Sequence, residues 1–268
     1  MKKNMIVKMK DFQFNEDLFK PMCTGTVVDT LLSTEGGLMK GCNFAFVGDP
    51  GVGKSTVLLD ILSDLQRNGN KVLFVSGEMN PIDMFGYTKR FPKFNNVPIL
   101  FMGDAVDSDP LQVLEDTFNE GWDVVLVDSM AEVVVSVADY HGGTTKSAET
   151  KVLNMFEKHN LAGNKANTNT TFLIIQQVTK TGQFSGSNRF KHMLTGMAHM
   201  RFDENQSRVF YFSKNRRGSS NTRLMFDLQR GGRVNHNIRL TFIFSTRPFG
   251  HIAPQFLVAL CWRTAYIC

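Results

Sequence analysis

The 268-residue sequence predicts an α/β fold: a mostly parallel, twisted sheet flanked by helices, with an antiparallel edge toward its C-terminal side. Three observations carry this. From residue 41 onward, short apolar runs alternate with helix-periodic segments, the pattern of a parallel sheet buried on both faces. Gly48, Asp49, Pro50, Gly51, Val52, Gly53, Lys54 and Ser55 form a complete G-x-x-x-x-G-K-[ST] phosphate-binding loop between one such run and a helix. After residue 197 the apolar runs become short and closely spaced, as in hairpins.

The elements follow in order. Residues 1–40 read as a lead-in arm of mixed charge with a turn at Glu35, Gly36 and Gly37. Residues 43–47 are a buried strand, and residues 56–67 set Val57, Leu58, Ile61, Leu62 and Leu65 at helical spacing. Strands are expected at 71–76, 97–102, 122–128 and 171–175. Helices are expected at 81–91, where Pro81 sits in the first turn, at 110–119 and at 148–159. Residues 200–202, 208–213 and 222–228 make the antiparallel edge. The core domain spans 41–230. Residues 231–268 are basic and aromatic without periodicity and read as a C-terminal extension to which no function is assigned.

Composition narrows the function classes. Hydrophobic residues are 42% of the chain, enough for a sizeable core, and the net charge of +5 permits an anionic partner such as nucleic acid without requiring one. Cys23, Cys42, Cys261 and Cys268 form no CxxC pair, which argues against a zinc or redox motif. The scattered histidines, His192 and His199 among them, read as packed or solvated groups. A reduced cytoplasmic compartment is the default, and no apolar run has membrane-spanning length, so no membrane partner is expected.

The motif residues define a chemistry. The loop glycines let backbone N–H groups turn inward onto a polyphosphate, and the following helix N-terminus adds its dipole. Lys54 reaches the β- and γ-phosphates, and the Ser55 hydroxyl is a Mg²⁺ ligand. Asp128 ends the apolar run 124–127, where a carboxylate completes the Mg²⁺ shell. Glu78 follows the 71–75 run and is placed to polarise water at the γ-phosphate. Gln177 follows the 171–175 strand, where its amide can contact the γ-phosphate and relay its presence into residues 178–189.

These pieces resemble the RecA-like P-loop NTPase core, in particular that of the RadA/Sms recombination proteins. The matching stretches, in family order, are residues 36–41, 48–56, 75–78, 125–129, 178–180 and Lys214, Asn215, Arg216, Arg217, Gly218. RadA proteins carry Lys-Asn-Arg-Phe-Gly at the last of these, so Arg217 replaces a Phe and the basic pair is kept. The resemblance implies ATP and Mg²⁺ as cofactors. It makes residues 48–56 (Thr56 included) and Arg90 nucleotide contacts, Ser55 and Asp128 metal ligands, and Glu78 the catalytic carboxylate. Gln177 takes the γ-phosphate sensor position, where RadA usually has His. Lys214 and Arg216 would reach a neighbouring subunit's nucleotide, which implies a homo-oligomer, ring or filament. RadA/Sms proteins also carry a four-cysteine zinc module and a protease-like domain. The stretch in hand has neither and looks like a stripped core, similar to short RadA-like annealing ATPases of bacteriophages.

In the RecA-like arrangement two loops face a central axis, here about 138–148 and 179–190. Both are rich in Gly, Ser and Thr with basic residues and an aromatic, a chemistry suited to single-stranded DNA. The DNA-contact candidates are Lys146, Lys180, Phe184 and Arg189, with Tyr140 as a second stacking ring. The leading expectation is an ATP-dependent, single-strand-binding recombination ATPase that promotes annealing, strand pairing or branch migration. A hexameric replicative-type helicase, and a nucleotide-gated regulatory or mediator module, stay open beside it.

Overall fold

The computed structural model describes residues 8–9, 15–105, 107–177, 184–220 and 222–228. Its centre is an eight-stranded sheet in the order β3-β2-β4-β5-β1-β6-β7-β8. The strands are β1 (Asn43–Gly48), β2 (Val72–Ser76), β3 (Ile99–Phe101), β4 (Val124–Asp128), β5 (Thr171–Ile175), β6 (Gly196–Phe202), β7 (Arg208–Asn215) and β8 (Arg223–Phe226). All pairings from β3 to β6 are parallel; β6–β7 and β7–β8 are antiparallel. Strands β2, β4 and β5 are buried throughout, which is why they read as continuous apolar runs rather than alternating ones.

Seven helices accompany the sheet among the described residues: α1 (Asp29–Leu32), α2 (Lys54–Arg67), α3 (Pro81–Arg90), α4 (Pro110–Phe118), α5 (Met130–His141), α6 (Thr145–Asn160) and α7 (Asn188–Met193). Alternate residues of each strand feed two cores. On one face Phe44, Phe46, Phe74 and Leu126 pack with the apolar side of α2 and with Leu31 of α1. On the other, Ala45, Val75, Val125 and Phe172 pack with Leu114 of α4, Val133 of α5 and Phe156 of α6. Phe156 lies stacked on Phe172 at 4.2 Å, with Phe118 set edge-on to Phe172 at 5.4 Å.

Local chemistry explains the helix ends. Asn80 and Asp83 form a reciprocal capping box at α3, with Pro81 in its first turn. The Asp109 carboxylate accepts from Leu111 and Gln112 N–H groups and starts α4. Residues 22–39, read as part of an arm, are built into the first core. Met22 and Leu38 exchange backbone hydrogen bonds at 2.8 Å, and Met22, Leu31, Leu32 and Leu38 are all buried.

One expectation is corrected. Residues 138–148 do not form a long mobile loop. Helix α5 runs to His141, Gly142 ends it in the left-handed conformation (φ 60°), and the Thr144 hydroxyl caps the Ser147 N–H to open α6 at Thr145. Only residues 142–144 remain between the helices. Helix α5 itself was not expected, because its Val133, Val134, Val135 run of β-branched residues resembles a strand. Lys180, with residues 179–183 of the second DNA-contact loop, and the extension 231–268 lie outside the described residues.

Candidate nucleotide site

Every residue of the phosphate chemistry sits at the carboxyl edge of the parallel strands. Strand β1 ends at Gly48, β4 at Asp128, β2 leads to Glu78, and β5 leads to Gln177. Open α/β sheets bind ligands at this edge, because helix N-termini and strand-end loops converge there. The phosphate loop fills the gap between β1 and α2, and Gly53 enters the helix with φ 101°, a left-handed conformation that favours glycine. Gly48 is required for another reason. A Cβ at this position would lie 1.8 Å from the Met200 carbonyl oxygen of the neighbouring β6.

Lys54 extends back over the loop, its Nζ donating to the Gly48 and Asp49 carbonyls at 2.8 and 3.0 Å. Burial lowers its pKa, opposed by the attraction of Asp128, Asp49 and Glu78. The Ser55 hydroxyl donates to Asp128 Oδ2 at 2.5 Å. The Asp128 carboxyl is pushed up to about 6, chiefly by burial and also by Glu78, against the downward pull of the Ser55 hydrogen bond and Lys54. A hydroxyl and a carboxylate meeting at the mouth of a phosphate loop are hard oxygen donors, so this pair fits Mg²⁺. The exposed Glu78 accepts from Gln177 Nε2 at 3.1 Å. The predicted water-polarising carboxylate and the predicted sensor amide therefore meet across the edge, although 99 positions separate them in the chain.

Other candidates are placed differently. Arg90 ends α3, its guanidinium 4.8 Å from the Tyr87 ring. Nine helical residues, about 14 Å, lie between it and the Glu78 end of the helix. Lys146 is exposed in the first turn of α6. Phe184 packs on Phe190 at 5.2 Å with the Lys191 ammonium 5.4 Å from its ring, so part of its surface is already covered. Arg189, on α7, is hydrogen-bonded to Asn154 and lies 3.7 Å from Glu157.

Lys214 and Arg216 lie toward the opposite edge of the sheet. Lys214 is level with Met197 in β6, and the Arg216 N–H donates to the Thr195 carbonyl beside Asn43, where β1 begins. By strand register that is roughly 10 and 16 Å back from Gly48. Lys214 Nζ donates to the Lys191 carbonyl, and its pKa is lowered by burial and by Arg216.

No protein-family model matches the chain. The DNA repair protein RadA of Campylobacter jejuni is 30% identical over 202 residues, covering 75% of this chain and 43% of that protein. RadA of Mycobacterium tuberculosis is 31% identical over 188 residues, covering 69% and 37%. Among solved structures, a KaiC-like protein from Pyrococcus horikoshii matches with a TM-score of 0.60 at 17% identity, covering 79% of this chain and 96% of that one. The flagellar accessory protein FlaH of Methanocaldococcus jannaschii matches at 0.58 and 13%, covering 80% and 94%.

The chain carries a RecA-like P-loop NTPase fold, and its sequence is similar to that of the RadA proteins. The likeness to the two solved structures shows its fold. This RecA-like chain spans less than half the length of the RadA proteins it matches. Among its described residues no helix is long and apolar enough to cross a membrane.

Sequence reasoning missed Gln176, the neighbour of the sensor candidate. It is buried at 4% exposure, and its Nε2 donates to Ser185 at 2.7 Å. Its signal was a second amide directly after an apolar strand, where the chain was expected to leave the core.

Proposed function

We propose that the chain is an ATP-dependent, single-stranded-DNA-binding recombination ATPase that works as an oligomer. One observation carries the reading: Lys54, the Ser55–Asp128 pair and the Glu78–Gln177 pair converge on one sheet edge around one phosphate loop. Lys54 offsets the charge of the transferred phosphoryl group, and Ser55 and Asp128 would hold a Mg²⁺ that would supply further positive charge there. Glu78 orients the attacking water, and Gln177 senses the γ-phosphate and passes its state to the segment that follows. Lys214 and Arg216 lie too far back along their own strands to touch the phosphates of this site. A neighbouring subunit would supply them, and the bound ATP would then sit between subunits. The RadA names of the relatives, and the basic α6 and α7 termini near the post-β5 segment, support DNA as the polymer bound.

The test is ATP turnover with and without single-stranded DNA, for the native chain and Lys54→Ala, with particle mass read in parallel. Turnover that rises with DNA and disappears in the variant is expected. Retained turnover in Lys54→Ala would refute the site, and turnover indifferent to DNA would refute the DNA reading. Strand annealing without directional unwinding of a fork is the expected reaction.

A further inference from the structure

Beside the post-β5 segment lies a cleft of about 410 Å³, lined by Met130, Val134 and Val135 of α5, Lys146 of α6, Gln176 and Ser185. Its walls are mixed: Met130 and Val134 are buried, Val135 stands at the rim with 41% exposure, and Glu149, whose carboxylate accepts from the Ser187 N–H at 3.3 Å, lines it as well. At its inner end the Gln176 amide is held in one orientation. Ser185 Oγ gives its single proton to the Gln177 carbonyl at 2.7 Å, so toward Gln176 it can only accept. Gln176 therefore meets it with Nε2, at 2.7 Å, and turns Oε1 the other way. That oxygen is buried and has no hydrogen-bond partner among the described residues. A buried acceptor left unpaired is destabilising, which makes it a specific demand for a donor.

We propose that this cleft takes one unstacked base of a single strand, an inference that rests on the DNA reading above. A base brings flat apolar faces for Met130, Val134 and Val135, an edge N–H for Gln176 Oε1, and a phosphate for Lys146 outside. The acceptor selects among bases. Cytosine, adenine and guanine carry an exocyclic amine that can donate to Oε1. Thymine flanks its single N–H with two carbonyls, which repel that oxygen. The cleft thus prefers amine-bearing bases, and bound strands are held by bases as well as by backbone.

The experiment is equilibrium binding of oligo(dC), oligo(dT) and an abasic strand of equal length to the full chain with ATP and Mg²⁺, with thermal melts confirming that each variant folds. The native chain is expected to bind oligo(dC) most tightly and the abasic strand least. Gln176→Met is expected to lose about tenfold on oligo(dC), the size of one base contact, and to erase the preference over oligo(dT). Val135→Trp, a change at an exposed rim position, fills the cleft and is expected to weaken oligo(dC) by a similar factor. Equal affinity of the native chain for all three strands, or native affinity for oligo(dC) in both variants, overturns the proposal and leaves the cleft to solvent. A Val135→Trp variant with altered particle mass but native DNA affinity overturns it in favour of a neighbouring subunit. If the native chain binds no single strand, the DNA reading falls as well.

Discussion

Gly48 and Gly51 belong to one motif, yet the structure gives them different burdens, and substituting each by alanine separates them. An added methyl at Gly48 would sit 1.8 Å from the Met200 carbonyl oxygen. An ordinary carbon–oxygen contact needs about 3.3 Å, so β1 and β6 would have to part by roughly 1.5 Å. That gap breaks the ladder where Gly48 pairs with Met200. Overpacking of this size costs about 3 kcal/mol or more, because the obstacle is backbone and cannot rotate away. At Gly51 nothing lies within 4 Å of the added methyl, and the only cost is the left-handed backbone at φ 75°. That strain is about 1 kcal/mol. At about 2–4 °C per kcal/mol for a domain of this size, Gly48→Ala should lower the melting temperature by about 6–12 °C and Gly51→Ala by about 2–4 °C. Differential scanning calorimetry of the nucleotide-free protein reads both. Equal shifts, or a larger loss at Gly51, would refute the close approach of β1 to β6 as the reason for the first glycine.

Two further predictions test the site. Asp128 has its pKa raised by burial to about 6 from an ordinary 3.8, so the folded state binds its proton more tightly than the unfolded one. Its contribution is therefore most favourable below pH 3.8 and is lost as pH rises toward 6, a difference of about 3 kcal/mol. Asp128→Asn should flatten urea stability between pH 4 and 6, and stabilise the nucleotide-free protein at pH 7.5 while abolishing Mg²⁺-dependent turnover; an unchanged pH slope would refute the burial argument. Lys214→Ala and Lys54→Ala chains should each be inactive alone, and mixing them should restore part of the turnover, because some interfaces then combine an intact phosphate loop with an intact Lys214; no recovery on mixing, with mixed oligomers verified, would refute the shared site.

Much of this was legible in the sequence because it is local. The expected strands at 43–47, 122–128 and 171–175 correspond to β1, β4 and β5 within two residues at either end, and the expected helices at 56–67, 81–91 and 110–119 to α2, α3 and α4. Apolar period, Pro81 and the glycine loop are written within a few positions of where they act. The misses came from tertiary context. The valine run of α5 carries strand propensity, but packing of Val133, Val134 and Val137 against β4 and β5 residues decides for helix. Residues 22–39 show little periodicity, yet they cover the first core through Leu31, Leu32 and Leu38.

By itself the sequence determined the phosphate loop, the order of strands and helices, and which residue types could do chemistry, since each is a property of a short stretch of chain. Only the tertiary structure decided which of those residues meet. The parallel order β2-β4-β5-β1 brings Ser55 to Asp128 and Gln177 to Glu78 at one edge, and the antiparallel return of β7 carries Lys214 and Arg216 back toward the other. Strand pairing is a non-local choice: it depends on which apolar faces can be buried together, and no single segment encodes it.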